Sequence, residues 1–283
     1  MARTVSQALA WARGILSSKG IDSAAIDADL LLAHCLSVRR VDLIIQRDRL
    51  LGEEEREAFS TLVGRRAQRE PVAYLTGERE FYGRRFMVNR HVFIPRPETE
   101  ILVEQALIRA PRGSVVFEIG VGSGAVICSI LAERSDLSGI GNDISVHALR
   151  TALANAALLG VSGRLMIYAG HALAGLRGLM PVIVANPPYI PESDVQTLED
   201  DVRCYEPYQA LFGGKDGLDI VQEIITAAAA HLVPRGVLLM EAGIGQREAI
   251  DVLVNRQGGL VLRGWKSDLA GIPRVVIVER IHG

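Results

Sequence analysis

The run Asn186-Pro187-Pro188-Tyr189 joins three residue types that together suit one kind of guest. Two prolines fix the backbone and remove two N–H donors. The turn is left rich in acceptors: the Asn186 side-chain oxygen and the Pro187 carbonyl. Tyr189 adds a flat aromatic face. A planar NH2 group fits such a turn. Its lone pair is delocalised and poorly nucleophilic. Two acceptors on its hydrogens hold the nitrogen and favour pyramidalisation as a bond to carbon forms. A sulfonium methyl on the far side is then placed for in-line transfer, and catalysis rests on positioning and electrostatics, with no metal and no covalent enzyme intermediate. The plain structural alternative is an Asx-turn leading into a rigid polyproline loop.

Two further sites point to a nucleotide-like ligand. Glu118-Ile119-Gly120-Val121-Gly122-Ser123-Gly124 follows an apolar run and opens a helical one. Glycines there allow a tight turn and close approach of a ligand to the backbone. The Gly-x-Gly-x-Gly spacing differs from the dinucleotide fingerprint, and a generic strand-to-helix turn is the alternative. Asp143 ends the next apolar run, where a carboxylate accepts hydrogen bonds from both hydroxyls of a ribose. Its alternative is an N-cap for a helix beginning near Ser145. These two sites do not separate a nicotinamide dinucleotide from S-adenosylmethionine, since both carry an adenosine ribose. A nicotinamide dehydrogenase leaves Asn-Pro-Pro-Tyr unexplained, and the third site therefore favours S-adenosylmethionine.

The elements that must carry these loops are legible in outline. Thr4 and Gln7 form a capping box, with Val5, Ala8, Leu9, Ala12 and Leu16 on one helical face. Gly20 stops that helix, and Asp22 or Ser23 caps a second one carrying Ile26, Leu30, Ala33 and Cys35. A third apolar cluster follows at Val41–Ile45. Glu53–Glu55 at a helix start, with Arg65, Arg66 and Arg69 near its end, suits a helix dipole. Pro71 ends this helical bundle. Glu80–Val88 reads as a β-hairpin. Pro95 and Pro97 stiffen the entry to a helix over Glu98–Arg109. From there strands alternate with helices: Val115–Ile119, Ile140–Asp143, Leu165–Tyr168, Val182–Ala185 and Val237–Glu241. Leu260–Lys266 and Val275–Glu279 then follow with only a short link, as an antiparallel hairpin at one sheet edge. The expected fold is α/β, a Rossmann-like doubly wound sheet of seven strands. The expected divisions are a helical bundle over 1–72, a hairpin linker over 73–97 and the sheet domain over 98–283.

Composition bounds the rest. The 283 residues, 49% apolar and 23% charged, are ordinary for a globular chain. A net charge of −2 gives no global pull toward nucleic acid or an anionic membrane. Cys35, Cys128 and Cys204 form no CxxC pair, so each is expected as a small buried hydrophobe rather than a metal ligand or disulfide partner. Met1–Ala10 lacks a signal-peptide pattern, and the Ala227–Ala230 stretch is cut by His231 and Pro234. A cytoplasmic location is the expectation.

Further segments carry a closer resemblance. Pro71–Glu78, Glu80–Gly83, Ile94-Pro95-Arg96-Pro97-Glu98-Thr99-Glu100, Asp201–Arg203 with Glu206-Pro207, Gly213–Leu218, and Glu241–Gly243 with Gln246 join the three sites above. From about residue 70 onward the chain resembles the class I methyltransferases of the release-factor glutamine methyltransferase family, PrmC/HemK. The resemblance implies methyl transfer from S-adenosyl-L-methionine, leaving S-adenosyl-L-homocysteine, to N5 of the glutamine in the Gly-Gly-Gln loop of class 1 peptide-chain release factors, with the ribosome as a context for the encounter. It implies that Gly120, Val121, Gly122, Ser123 and Gly124 cradle the cofactor and that Asp143 binds its ribose. Glu118 contacts the cofactor amino group or orients the glycine loop. Asn186 and Pro187 hold the glutamine amide, Pro188 and Tyr189 flank it, and Arg96 and Glu98 join the substrate side. Where the family often has an acidic then a bulky residue beside adenine, this chain has Gly170 and His171. His171 stacks on adenine in this reading, or is a surface histidine. Arg65, Arg66, Arg69, Arg84, Arg85 and Arg90 form a basic group that meets an acidic partner or is simply solvated.

Three rivals remain. A nucleic-acid amino methyltransferase also handles planar amines but needs base flipping on a duplex, and no basic recognition segment is evident. A ribosomal-protein glutamine methyltransferase fits the Arg-Pro-Glu-Thr-Glu segment less well. A binding module that lost its chemistry is disfavoured by the intact motifs.

Overall fold

Thr4 caps the first helix as its spacing predicts. Its hydroxyl accepts the Gln7 N–H at 3.3 Å, and Gln7 Oε1 accepts the Thr4 N–H at 3.0 Å. The structure, a computed structural model, describes residues 3–281. Met1 and Ala2 of the Met1–Ala10 stretch and the last two positions of the chain lie outside the described residues. The chain forms two compact units. One comprises the chain up to Glu78 together with Glu199–Tyr205; the other comprises Arg79–Leu198 and the chain from Glu206 onward.

The first unit is helical: α1 (Val5–Ser18), α2 (Ala24–Leu36), α3 (Arg40–Ile45), α4 (Glu53–Ala67), α5 (Val72–Thr76) and the short helix α9 (Asp200–Tyr205). Val5, Ala8, Ala12 and Leu16 bury one face of α1 against Leu31 and Leu32 of α2, Phe59 and Val63 of α4, and Leu75 of α5. Three expectations need correction. Pro71 does not end the bundle but stands at the N-terminus of α5, where a missing N–H costs nothing. Ser23 occupies the N-cap of α2 without a capping bond, because its hydroxyl donates to Asp27 instead. In the Val41–Ile45 cluster only Leu43 is buried, while Ile44 and Ile45 are more than 70% exposed. A helix of under two turns can turn only one residue of that run inward.

Within this core Arg66 and Asp27 form an ion pair at 2.8 Å with both side chains only 7% exposed. Asp27 also accepts from Ser23, and Arg66 donates to the carbonyls of Arg69 and Glu70. Both charges are therefore well satisfied.

A hairpin, β1 (Glu78–Phe81) and β2 (Arg84–Met87), follows, and the second unit begins within its first strand at Arg79. Its two-residue turn, Tyr82-Gly83, has positive φ at both positions, the turn whose twist matches a hairpin. A seven-stranded sheet follows, built from β3 (Val115–Ile119), β4 (Ser138–Asp143), β5 (Leu165–Ala169), β6 (Met180–Ala185), β7 (Leu232–Glu241), β8 (Leu260–Ser267) and β9 (Pro273–Arg280), in the order β5-β4-β3-β6-β7-β9-β8. The first five strands are parallel; β9 runs antiparallel between β7 and the edge strand β8. The expected terminal hairpin therefore forms, with its later strand inside the sheet.

Alternate residues face opposite helical layers. Val182 and Val184 pack toward α6 (Glu100–Arg109), α7 (Ala125–Glu133) and α8 (Val146–Leu158). Ile183 and Ala185 pack toward α11 (Asp219–His231) and α12 (Arg247–Arg256). Burial on both faces is why these strands read as unbroken apolar runs. A short helix, α10 (Tyr208–Leu211), completes the list. Helix α6 begins at Glu100, after a 3-10 turn at Pro97–Thr99, rather than at Glu98. Cys128 is buried, and burial pushes its thiol up to about 12; Cys204 is exposed, contrary to the expectation. No helix among the described residues is long and apolar enough to cross a membrane.

The buried ion pair of the helical unit makes a prediction. Asp27→Ala leaves a buried guanidinium short of its partner, and should lower unfolding free energy by about 3–5 kcal/mol in urea titration. The double variant Asp27→Leu/Arg66→Met should recover part of that loss, since the buried pair is removed together while Asp201, 3.6 Å from Arg66, loses one ion pair.

Candidate active site

Strands β4, β3 and β6 end level at one edge of the sheet. Ile119 is in register with Asn142 on one side and Ala185 on the other. Each strand leaves that edge through a different loop: Gly120–Gly124 after β3, Asp143 at the end of β4, and Asn186–Tyr189 after β6. Strand order reverses here, and α7 and α11 lie on opposite faces of the sheet, so a crevice opens between the loops. A cavity of about 510 Å³ fills it, lined by Glu118, Gly120, Val121, Gly122, Ser123, Asp143, His171 and Asn186–Tyr189. That volume is in the range of small-molecule and cofactor sites. All of these residues belong to the second unit.

Gly120 and Gly122 have φ of 69° and 53°, and a Cβ at either would meet nothing within 4 Å. Backbone conformation, not crowding, demands glycine there, and the bare backbone is open to a guest. Gly124 is different. It does not line the cavity, and a Cβ on it would press on Ala152 of α8 at 3.1 Å and on Cys128 at 3.2 Å. It lets two helices close together behind the loop.

Asp143 braces the loop it faces. Oδ2 accepts the Gly122 N–H at 2.9 Å, and Oδ1 accepts the Ser145 N–H at 2.8 Å. Burial raises its carboxyl above the ordinary value, and these two N–H groups work in the opposite direction. Each oxygen keeps a lone pair for a ligand hydroxyl. The N-cap of α8 is Ser145 itself, whose hydroxyl accepts from Ala148. Glu118 is buried, and its Oε2 accepts the Ile127 N–H at 3.0 Å in the first turn of α7. Burial pushes its carboxyl well above the ordinary range, opposed by that N–H and reinforced by the charge of Asp143. It anchors the first turn of α7 and lines the cavity.

Asn155 of α8 was not singled out from the sequence. It is fully buried, exchanges two hydrogen bonds with the Met87 backbone of β2, and donates to the Ser123 carbonyl at 2.8 Å. It ties the hairpin to the glycine loop. His171 reaches the cavity rim with its Nε2 2.8 Å from Glu223 Oε2. Gly170 has a local cause: a Cβ there would stand 2.9 Å from the Tyr168 ring and 3.1 Å from Asn142 Nδ2.

The Asn-Pro-Pro-Tyr loop is clamped from behind. A Cβ on Gly217 would come within 2.2 Å of the Tyr189 carbonyl. Gln246 donates to that carbonyl at 2.9 Å and to the Gly217 carbonyl at 3.1 Å, and accepts from Gly243 at 2.8 Å. Asn186 Nδ2 donates to Thr99 Oγ1 at 3.3 Å. Among the described residues neither Asn186 Oδ1 nor the Pro187 carbonyl receives a donor, so two acceptors stand ready beside the cavity. The Tyr189 hydroxyl donates to Glu241 Oε1 at 3.4 Å, and burial, then the charge of Glu241, raises its pKa. Thr99 and Glu241 escaped the reading of site chemistry. A carboxylate closing the otherwise apolar run Val237–Met240, just as Glu118 interrupts β3, was the available signal.

Arg96 and Glu98 do not line the cavity. The Arg96 guanidinium pairs with buried Glu206 and stands over the Phe93 ring at 4.8 Å. Glu206 in turn accepts the Ile94 N–H at 3.1 Å. The six arginines do not form one free basic face. Arg65 pairs with Glu70, Arg66 with Asp27 and Arg84 with Glu133, while Arg69 donates to the carbonyls of Lys19 and Gly20. Arg90 alone of the six lines the cavity. No group of three or more His, Cys, Asp or Glu side chains arranged to hold a metal occurs among the described residues.

Comparison with known proteins adds independent findings. The profile of the PrmC N-terminal domain matches residues 7–77. The release factor glutamine methyltransferase of Bradyrhizobium diazoefficiens is 40% identical over 94% of this chain and 91% of its own length. Those of Geobacter sulfurreducens and Nitratidesulfovibrio vulgaris are also 40% identical, over 90% and 98% of this chain and 89% and 95% of theirs. Among solved structures, a methyltransferase from Pyrococcus furiosus aligns with a TM-score of 0.54 at 17% identity, over 71% of this chain and 91% of that one. A ribosomal protein L11 methylase from Lactobacillus delbrueckii aligns at 0.51 and 19%, over 69% and 84%. These two establish the class I methyltransferase fold of the sheet unit. With identity of this level running the length of the chain, this protein belongs to the release factor glutamine methyltransferase family.

Proposed function

We propose that the protein transfers the methyl group of S-adenosyl-L-methionine to N5 of the glutamine in the Gly-Gly-Gln loop of class 1 peptide-chain release factors. The observation that carries this reading is the pair of unpaired acceptors, Asn186 Oδ1 and the Pro187 carbonyl, in the same cavity as the open glycine backbone. The relatives named as release factor glutamine methyltransferases support the choice of substrate.

The residues present fit the cofactor. Gly120 and Gly122 leave room where side chains would stand, and Asp143 retains lone pairs for two ribose hydroxyls. Glu118 would offer a buried carboxyl to the cofactor amino group, and His171, which lines the cavity, would be available to the adenine. When bound, the cofactor supplies an electrophilic methyl on a positively charged sulfur. Asn186 Oδ1 and the Pro187 carbonyl each accept one hydrogen of the glutamine amide and draw its lone pair out of conjugation. As the bond from the amide nitrogen to the methyl formed, the methyl–sulfur bond would break with its electron pair kept by sulfur, and the nitrogen would give up one of those protons to solvent. Pro188 and Tyr189 wall the amide, and the Gln246 clamp keeps the two acceptors from drifting. Positioning of this kind supplies most of the acceleration in such reactions. Arg96, through its pairing with Glu206, shapes the approach to the site and is assigned with Glu98 to the substrate side. The reading uses no metal, no membrane and no sequence-specific nucleic-acid contact. It places the protein in the cytoplasm, where release factors meet the ribosome.

The test is methyl transfer from labelled cofactor to a purified class 1 release factor, to its loop Gln→Ala variant, and to DNA and RNA. Label on the parent factor and none on the variant is expected; label on nucleic acid alone would overturn the reading. Asn186→Ala should lower kcat by about 10²–10³-fold, the scale set by removing one preorganised hydrogen-bonding group, with cofactor affinity retained in calorimetry. Asp143→Asn should instead raise the cofactor Kd by about 10–100-fold, the equivalent of one hydrogen bond to a charged group.

A further inference from the structure

Strand order fixes the side on which a bound cofactor puts its base. Along the sheet the neighbours run β5, β4, β3, β6, and the loops that leave them carry His171, Asp143, the glycines and Asn186 in that order. A cofactor with its ribose at Asp143 and its methyl near Asn186 therefore has its base on the β5 side. The wall there is Gly170, His171 and Ala172, and all three line the cavity, as does Asn142. Asp143 is in register with Ala169, and its carbonyl accepts the Gly170 N–H at 3.1 Å, so this loop leaves the sheet beside the ribose carboxylate.

Two unfavourable features meet in that wall. Ala172 has a φ of 44°, left-handed backbone that any side chain disfavours, and it is buried. Asn142 is fully buried; its Nδ2 donates to the Ala172 carbonyl at 2.9 Å, and its Oδ1 has no hydrogen bond among the described residues. A carbonyl only accepts, so the amide nitrogen must face Ala172 and the oxygen is the atom left over. A buried acceptor without a donor is destabilising. The Asn142 amide thus contributes a single side-chain bond, and that bond goes to the strained residue. Strain of this kind persists only where surrounding contacts hold it, and it gathers at ligand clamps. Glycine at 170 leaves room for the bond: a Cβ there would stand 3.1 Å from Asn142 Nδ2.

We infer that Asn142 is a positioning residue for the base of the cofactor. By holding the Ala172 carbonyl it keeps residue 172 left-handed, and that conformation sets the direction in which the chain carries His171. The rest of the loop is pinned around this bond. The His171 carbonyl accepts the Ala174 N–H at 2.8 Å, Leu173 is buried in the core on that face of the sheet, and His171 Nε2 stands 2.8 Å from Glu223 Oε2 of α11. The imidazole is thereby held in the wall where a flat purine arrives. The inference rests on the assignment of S-adenosyl-L-methionine to this cavity.

Loss of the bond acts on one end of the cofactor only. Ala172 is then free to leave the left-handed region, the peptides on either side of it turn, and His171 is carried off the wall. Asp143 keeps its bonds to Gly122 and Ser145, and Gln246 keeps its bonds behind the Asn-Pro-Pro-Tyr loop. Cofactor affinity falls while turnover at saturating cofactor persists.

The test is the Kd of S-adenosyl-L-homocysteine by calorimetry, with methyl-transfer kinetics alongside, in the full chain and its variants. Asn142→Leu, close in shape to the parent side chain, should raise the Kd about tenfold, the equivalent of one hydrogen bond. Its kcat at saturating cofactor should stay within about twofold of the parent. Asn142→Ala, which only removes atoms, should show the same split and guards against a packing fault in the leucine variant. His171→Ala should raise the Kd about fivefold in the parent background but less than about twofold in the Asn142→Leu background, because both changes remove the same contact. Ala172→Gly placed in the Asn142→Leu background should recover about threefold in affinity, since glycine is left-handed without steric cost. Parental affinity in both Asn142 variants, losses that multiply in the Asn142/His171 double variant, or no recovery with glycine would each overturn the inference; a merely structural role for Asn142 predicts the multiplied losses. A parent protein that does not bind S-adenosyl-L-homocysteine would instead defeat the functional reading beneath it.

Discussion

Hydrogen-bonded register across three parallel strands is the constraint on which the site depends. Parallel strands exchange evenly spaced bonds, so a fixed pairing at one point fixes where neighbouring strands stop. Ile119 is held level with Asn142 and with Ala185. The glycine loop, Asp143 and Asn186 therefore emerge within one crevice although more than sixty positions separate the first from the last. The next pairing, Ala185 with Met240, brings Glu241 into the same group. A one-residue slip of β6 would exchange its two faces, and the burial of Val182–Ala185 on both sides leaves no slack for that.

Two buried carboxyls, Glu118 and Glu241, and the half-buried Asp143 stand at this edge of the sheet, and burial raises all three. Each is held by donors from a neighbouring element: Ile127 for the first, Gly122 and Ser145 for the second, Tyr189 for the third. Acidic side chains thus orient backbone and hydroxyl groups around the crevice. The loops behind the site are equally constrained. Gly217 packs so closely on the Tyr189 carbonyl that any side chain would displace it, and Gln246 ties both to Gly243. Rigidity matters because an acceptor displaced by an ångström no longer holds the nitrogen in line.

Much of this was legible from residues alone. Five apolar runs separated by helical stretches identify a parallel sheet, because such strands are buried on both faces and lose the alternation that marks an exposed strand. The capping box at Thr4 and Gln7 is local chemistry and reads directly. Errors fell where local pattern met tertiary competition. Ser23 spends its hydroxyl on Asp27, whose carboxylate also carries the Arg66 charge. Ile44 and Ile45 are apolar yet stay outside because α3 is too short to turn them in. Glu199–Tyr205, far along the chain, joins the helical unit, a long-range pairing with no periodic signature.

The sequence by itself determined the strands, the helices, the glycine loop and the acceptor-rich turn, because each depends on residues close together in the chain. Left-handed backbone at Gly120 and Gly122 and the donor-free turn at Pro187-Pro188 are properties of those residues wherever they stand. Only the tertiary structure decided which polar groups serve them. Arg96 is engaged by Glu206, 110 positions away. Thr99 looked like one letter of a motif but receives the Asn186 amide 87 positions away. Glu241 looked like the end of a strand but receives the Tyr189 hydroxyl, 52 positions away. Hydrogen-bond direction depends on which donors and acceptors meet in space, and strand register and burial set those meetings.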